Sequence, residues 1–149
     1  MSKLEFSMNL PSPPDKLIAL ITNYENYTKF FESQIKSINI LETKNEETIT
    51  EEVLTFSTII NHDITQKTLH KKIDSNKLYS KVLSGPFKDT ILEVTFEKID
   101  TGTKINVQLD LKLSIKYKIL LPIIKKRYKT VIIGLMYKMN NIIQSNQQL

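Results

Sequence analysis

The chain contains no cysteine and no tryptophan, and only three glycines, in 149 residues. Without cysteine there is no disulfide framework, no thiolate nucleophile and no Cys-based zinc site. So few glycines exclude a Gly-rich phosphate loop, and neither a GxGxxG nor a Walker pattern occurs. No uncharged apolar run reaches the roughly 18 residues of a membrane-spanning helix. The opening MSKLEFSMNL lacks the apolar segment of a signal peptide. These absences are read as a cytoplasmic protein folded as one domain over residues 1–149. Acidic residues are missing from an entire region. None follows Asp110, whereas Lys112, Lys116, Lys118, Lys125, Lys126, Arg127, Lys129 and Lys138 give that tail a charge of +8. The first 110 residues carry 13 basic and 16 acidic side chains, or −3. Charge segregated in this way points to an anionic partner.

What is present is periodicity, first of two and finally of three to four. Leu4, Phe6, Met8 and Leu10 alternate with polar residues, which predicts a half-buried strand over Lys3–Leu10. Pro11 to Pro14 end it, and Ser12 is placed to cap a short helix carrying Leu17, Ile18 and Ile21 on one face. A second helix is expected over Tyr24–Ser33, with Tyr27, Phe30 and Phe31 inward. Six strands follow as a meander: Ile35–Thr43, Thr48–Ile60, Ile64–Ile73, Lys77–Ser84, Asp89–Ile99 and Lys104–Lys116. Turns fall at Asn45-Glu46, Asn61-His62-Asp63, Asp74-Ser75-Asn76, Gly85-Pro86-Phe87 and Asp100-Thr101-Gly102. The last strand, thirteen residues at about 3.3 Å each, spans roughly 43 Å.

From Leu120 to Ile143 the period changes. Ile124, Tyr128, Val131, Leu135, Met139 and Ile142 share one helix face, which Ile132, Met136 and Ile143 widen. Pro122 fits the first turn. About 24 residues give a rod of about 36 Å, too long for a small domain to surround. A seven-stranded antiparallel sheet with one wet face must cover its other face, and a single helix covers it only if the sheet curls. The expectation is an α+β fold: a curved seven-stranded antiparallel sheet around a long C-terminal helix, with two short helices between strands 1 and 2. Curling leaves room between helix and sheet.

That element order, over Leu4–Ile143 and with the local pattern Ser84-Gly85-Pro86-Phe87-Lys88, resembles the START-like, or helix-grip, superfamily. Within it the chain is most similar to the polyketide cyclase/dehydrase and coenzyme Q-binding branch. In that branch a Gly-Pro-Phe turn precedes the strand pair leading to the final helix. A tryptophan common on the following strand is replaced in this region by Val94 or Phe96. The resemblance implies a cavity for an apolar ligand, with its mouth near the start of the long helix, and it names neither ligand nor reaction.

Parity then selects candidate residues. Thr50, Glu52, Leu54, Phe56 and Ile60 share a face of the third strand. If that face lines a cavity, Glu52 is a carboxylate in an apolar wall, with a raised pKa, a partner or a ligand to bind. The expected lining is Phe30, Glu52, Leu54, Phe56, Tyr79, Leu92, Phe96, Leu109, Tyr128, Leu135 and Met139. Tyr79 could offer its phenol to a quinone or carbonyl oxygen. His62 reads as a turn residue, and His70, beside Lys71 and Lys72, as a surface strand residue; neither has metal-site spacing. No metal, cofactor or catalytic set is assigned. Gly134 sits mid-helix, either because a neighbour approaches closely or because nothing selects against its cost. Ile123, Ile133 and Tyr137 lie away from the main stripe, with Lys126 and Thr130. Lys125, Lys126, Arg127 and Lys129 are expected to meet anionic membrane, making the protein peripheral there.

Three functions are compatible with this reading. The first is a carrier or binding protein for a hydrophobic small molecule: a lipid, quinone, isoprenoid or polyketide-like compound. The second is an aromatase/cyclase-like enzyme using Glu52 or Tyr79. The third is a ribosome- or RNA-associated protein using the +8 tail, ranked last because no aromatic-basic stacking platform is present. Composition and pattern leave the oligomeric state open.

Overall fold

The computed structural model describes residues 3–31, 33–55 and 62–147. Strict alternation makes β1 (Lys3–Leu10), and Pro11 ends it. Helix α1 (Pro14–Ile21) buries Leu17, Ile18 and Ile21, as their spacing requires. Its N-cap is Pro13, without a side-chain cap, so Ser12 does not serve there. Ser12 is instead buried and donates to Asn140 Oδ1 at 2.6 Å, while its carbonyl accepts from Thr103 Oγ1 at 2.7 Å. Gln144 Nε2 donates to the Ser12 hydroxyl at 3.2 Å. One serine thus pins the C-terminal helix to the sheet corner. The second expected helix is shorter: a 3₁₀ turn, Tyr24–Asn26, runs into α2 (Tyr27–Phe30). Lys138 Nζ donates to the Phe30 carbonyl at 3.1 Å, at the negative end of α2.

The meander comprises β2 (Ile35–Lys44), β3 (Glu47–Leu54), β4 (Ile64–Asp74), β5 (Lys77–Val82), β6 (Ile91–Ile99) and β7 (Gly102–Asp110). Together with β1 it forms one curved antiparallel sheet of order β1-β7-β6-β5-β4-β3-β2. Asn45 and Glu46 both have positive φ, 51° and 64°, as a two-residue primed turn demands. Gly102 has φ 147°, and a Cβ there would overlap the Leu10 carbonyl and Pro11, so the β6–β7 turn admits β1 only as glycine. Phe56 and Ile60, expected on the third strand, and Asn61 in the next turn lie outside the described residues.

The last strand is shorter than its alternation suggests. β7 ends at Asp110, where β6 begins at Ile91, so the strand has no β6 partner beyond it. Beyond it, Lys112 N–H donates to Thr90 Oγ1, Thr90 Oγ1 donates to the Lys112 carbonyl, and Ser114 N–H donates to the Pro86 carbonyl. The chain therefore docks on the Gly85–Thr90 turn, then forms a 3₁₀ segment, Ile115–Leu120. Leu111 is buried, but Ile115 is almost fully exposed.

Helix α3 (Leu121–Gln147) is about 40 Å long. Ile124, Ile132, Leu135, Met136, Met139 and Ile143 are buried; Ile142, placed on that stripe by spacing, is exposed. Two packed regions hold it. One gathers Leu17, Phe96, Ile105, Met136, Met139 and Ile143; the other gathers Leu54, Ile64, Phe87, Leu111, Tyr117 and Ile124. Phe87, delivered by the Gly-Pro-Phe turn, meets the Tyr128 ring edge-to-face at 6.1 Å. Leu92 and Tyr128 touch both regions, and the space between them is the cavity described next. Gly134 is exposed, with nothing within 4 Å of a built Cβ, so close packing is not its reason. Among the described residues no helix is long and apolar enough to cross a membrane.

Candidate functional site

Two neighbouring strands turn polar residues toward the core. On β3 the inward positions are Thr50, Glu52 and Leu54; on β4 they are Ile64, Gln66, Thr68 and His70. Antiparallel register sets Glu52 opposite Gln66 and Thr50 opposite Thr68, and on the far side of β4 it sets His70 opposite Ser80 of β5. Facing this polar strip, α3 supplies Tyr128, Ile132, Leu135 and Met136. Between them lies a cavity of about 190 Å³. Its remaining wall is largely apolar, with Ile21, Val82, Leu92, Val94 and Leu109. The half-buried Phe31, Gln34 and Ile35 on one side, and Arg127 and Val131 on the other, form its rim.

The polar strip divides into a satisfied half and an unsatisfied half. His70 Nε2 lies 2.9 Å from Thr50 Oγ1 and Nδ1 lies 3.0 Å from Ser80 Oγ. Its ring stacks on Tyr24 at 4.3 Å and meets the edge of Tyr27. Two hydroxyls can each give or take a proton, so a neutral imidazole satisfies both ring nitrogens. Burial pushes its pKa down to about 4. The Tyr27 hydroxyl donates to the Ile21 carbonyl at 2.6 Å, and burial holds that phenol well above its ordinary value.

Glu52 is the unsatisfied group. It is buried, and burial pushes its carboxyl up to about 7 against an ordinary 4.5. Thr68, Thr50 and the Gln66 amide pull in the opposite direction without cancelling burial. Among the described residues, Glu52 Oε2 and Gln66 Oε1 are buried with no hydrogen-bond partner. Leaving such atoms unpaired costs about 1–3 kcal/mol each. Both residues line the chamber, where a donor from outside the chain would supply the missing bond. Tyr128 overlooks the same space; burial first, and the Glu52 charge second, raise its phenol pKa.

Of the residues selected from sequence, Glu52, Leu54, Leu92, Leu109, Tyr128 and Leu135 line this cavity. Phe30, Phe96 and Met139 belong to the packed core beside it and do not line it; Met136, one turn earlier, takes the place expected for Met139. Tyr79 points to the convex face, because its neighbours Ser80 and Val82 on β5 point inward. Phe56 lies outside the described residues. His70 is not a surface residue. It shares parity with Ile64, Gln66 and Thr68, a signal visible in the sequence but outweighed there by the adjacent lysines. His62 is exposed and its Nε2 lies 3.1 Å from the Tyr117 hydroxyl. The four expected membrane cations wind around α3 at about 100° per residue: Arg127 reaches the cavity rim, and Lys129 lies over the Phe6 ring at 5.5 Å. Among the described residues no group of three His, Asp or Glu could hold a metal ion.

The sequence matches the family described as polyketide cyclase / dehydrase and lipid transport over residues 10–134. No curated protein matches it. Solved structures share its fold at low identity. The ZhuI aromatase/cyclase from Streptomyces sp. R1128 has a TM-score of 0.80 at 11% identity, covering 95% of this chain and 94% of that one. TTHA0849 from Thermus thermophilus gives 0.79 at 14%, covering 97% and 98%. A START superfamily protein from Mycobacterium smegmatis gives 0.76 at 13%, covering 96% and 97%. Likeness at these identities is likeness of fold.

Proposed function

The chain belongs to the polyketide cyclase / dehydrase and lipid transport family, and from that premise we propose that it binds a hydrophobic small molecule between the sheet and α3. The observation that carries this reading is the pair of buried, unpartnered acceptors, Glu52 Oε2 and Gln66 Oε1, on residues that line a largely apolar chamber. A ligand with a hydroxyl, phenol or amide N–H at one end satisfies both while its body lies against Leu92, Leu109 and Leu135. A cavity of about 150 Å³ is enough to take benzene; 190 Å³ suits a body of one or two rings or a short alkyl chain. Displacement of the fluorescent two-ring phenol 2-naphthol by a quinol, followed in wild type and in Leu92→Trp, tests the reading. Wild type is expected to bind and Leu92→Trp, which fills the chamber, to lose binding while keeping its circular dichroism. Equal binding by both places the ligand elsewhere and rejects the proposal.

One observation favours a second reading. A carboxyl raised to about 7 by burial has the pKa of a general acid or base near neutral pH. Under this reading Glu52 takes a proton from the carbon beside a ligand carbonyl, the first step of a cyclisation. Glu52→Gln separates the two: ligand retained with turnover lost supports the enzyme, and no turnover of polyketide-like carbonyl compounds by wild type supports the carrier.

A further inference from the structure

The tail that follows Asp110 holds a surface that the cavity does not use. Ile115 and Ile119, in the 3₁₀ segment, are 85% and 86% exposed, and Ile123, in the first turn of α3, is 54% exposed. Single exposed apolar residues are ordinary; three within nine residues of one lysine-rich segment, two of them almost bare, are a concentration of exposed apolar surface. Further along α3, Arg127 and Val131 stand on the cavity rim, so this segment runs into the element that carries the mouth. Lys116 and Lys118 alternate with the isoleucines and, with Lys126, are exposed. Lys112 is held by Asp110 at 3.8 Å, and among the described residues no carboxylate pairs with Lys116, Lys118 or Lys126. Tyr117, between the two lysines, is buried and bonded to His62, which anchors the segment and leaves its isoleucines directed outward.

We propose that Ile115, Ile119 and Ile123, ringed by Lys116, Lys118 and Lys126, dock the protein on an anionic lipid surface with the cavity mouth beside the bilayer. Apolar side chains enter the acyl boundary while the lysines remain among the headgroups. Of the Lys125–Lys129 cations expected from sequence, this surface uses Lys126. It is independent of what the cavity holds.

The test is co-sedimentation with phosphatidylcholine vesicles and with vesicles of equal phosphatidylcholine and phosphatidylglycerol, across a salt series. Binding is expected with the anionic vesicles only, and it weakens as salt rises. Lys116→Gln with Lys118→Gln lowers partitioning by about thirty-fold, at about five-fold per lysine. Ile115→Ser with Ile119→Ser lowers it by about ten-fold or more. Ile40→Ser with Leu41→Ser, an exposed apolar pair on β2 at 42% and 50%, leaves it unchanged. Naphthol displacement in the cavity, measured without vesicles, stays at wild-type levels in all three, so loss of docking and loss of ligand binding are told apart. Equal binding to both vesicle types overturns the proposal. So does an equal loss from the β2 pair, or binding of RNA in place of vesicles.

Discussion

Replacing Glu52 by glutamine is expected to stabilise the protein, and to do so only where the carboxyl would otherwise ionise. Burial holds the group at about 7 against an ordinary 4.5. A difference of that size corresponds to ~3 kcal/mol. Below about pH 4.5 the folded and unfolded chains both carry the proton, and the raised pKa costs nothing. Between there and about 7 the unfolded chain releases its proton while the fold retains it, so stability falls as pH rises. Above about 7 the whole penalty is present. Glutamine keeps the shape and cannot ionise. His70 acts with the opposite sign: held down to about 4, it costs stability as pH falls below its ordinary 6.5. Comparing wild type and variant at each pH cancels that contribution. Urea unfolding at about pH 8 is expected to show the midpoint of Glu52→Gln raised by about 1–3 M. At about pH 4.5 the midpoint shift is expected to be small. A gain of equal size at both pH values, or a loss at pH 8, would refute a carboxyl whose burial outweighs its hydrogen bonds.

Four further outcomes follow from the packing. The His70 imidazole, followed by NMR, is expected to stay neutral down to about pH 5 and to titrate near 4; titration near 6.5 would mean that it is solvated. Gly134→Ala gains about 1 kcal/mol, read as a rise in melting temperature, because nothing stands in the way of the methyl group. Gly102→Ala loses at least about 2 kcal/mol in urea unfolding, because its Cβ would overlap Leu10 and Pro11. Ser12→Ala leaves Asn140 Oδ1 without its 2.6 Å donor and costs about 1–3 kcal/mol by the same measurement.

Local pattern was enough for the sheet and the long helix. Alternation places Leu4 to Leu10, Leu92 to Phe96 and Ile105 to Leu109 on inner faces because a strand has a period of two whatever surrounds it. The burial of Glu52 was legible for the same reason: it shares parity with Leu54. Single-sequence periodicity also settled that α3 has one apolar side. These features depend on residues a few positions apart, and backbone geometry carries them.

Only the tertiary structure decided where alternation stops and which apolar positions meet empty space. β7 ends at Asp110 because its partner β6 goes no further than Ile91, which no local pattern in Leu111–Ile115 records. Phe96 and Met139 are as apolar as Leu92 and Leu135, yet they fill the packed region beside α1 while the other two face the cavity. That distinction depends on the spacing between sheet and helix at each level of α3. Ser12 could have capped α1 on sequence grounds; Asn140, 128 residues away, claims its hydroxyl. Residues brought together by the curl of the sheet compete with local partners and win when burial makes an unpaired polar group the greater cost.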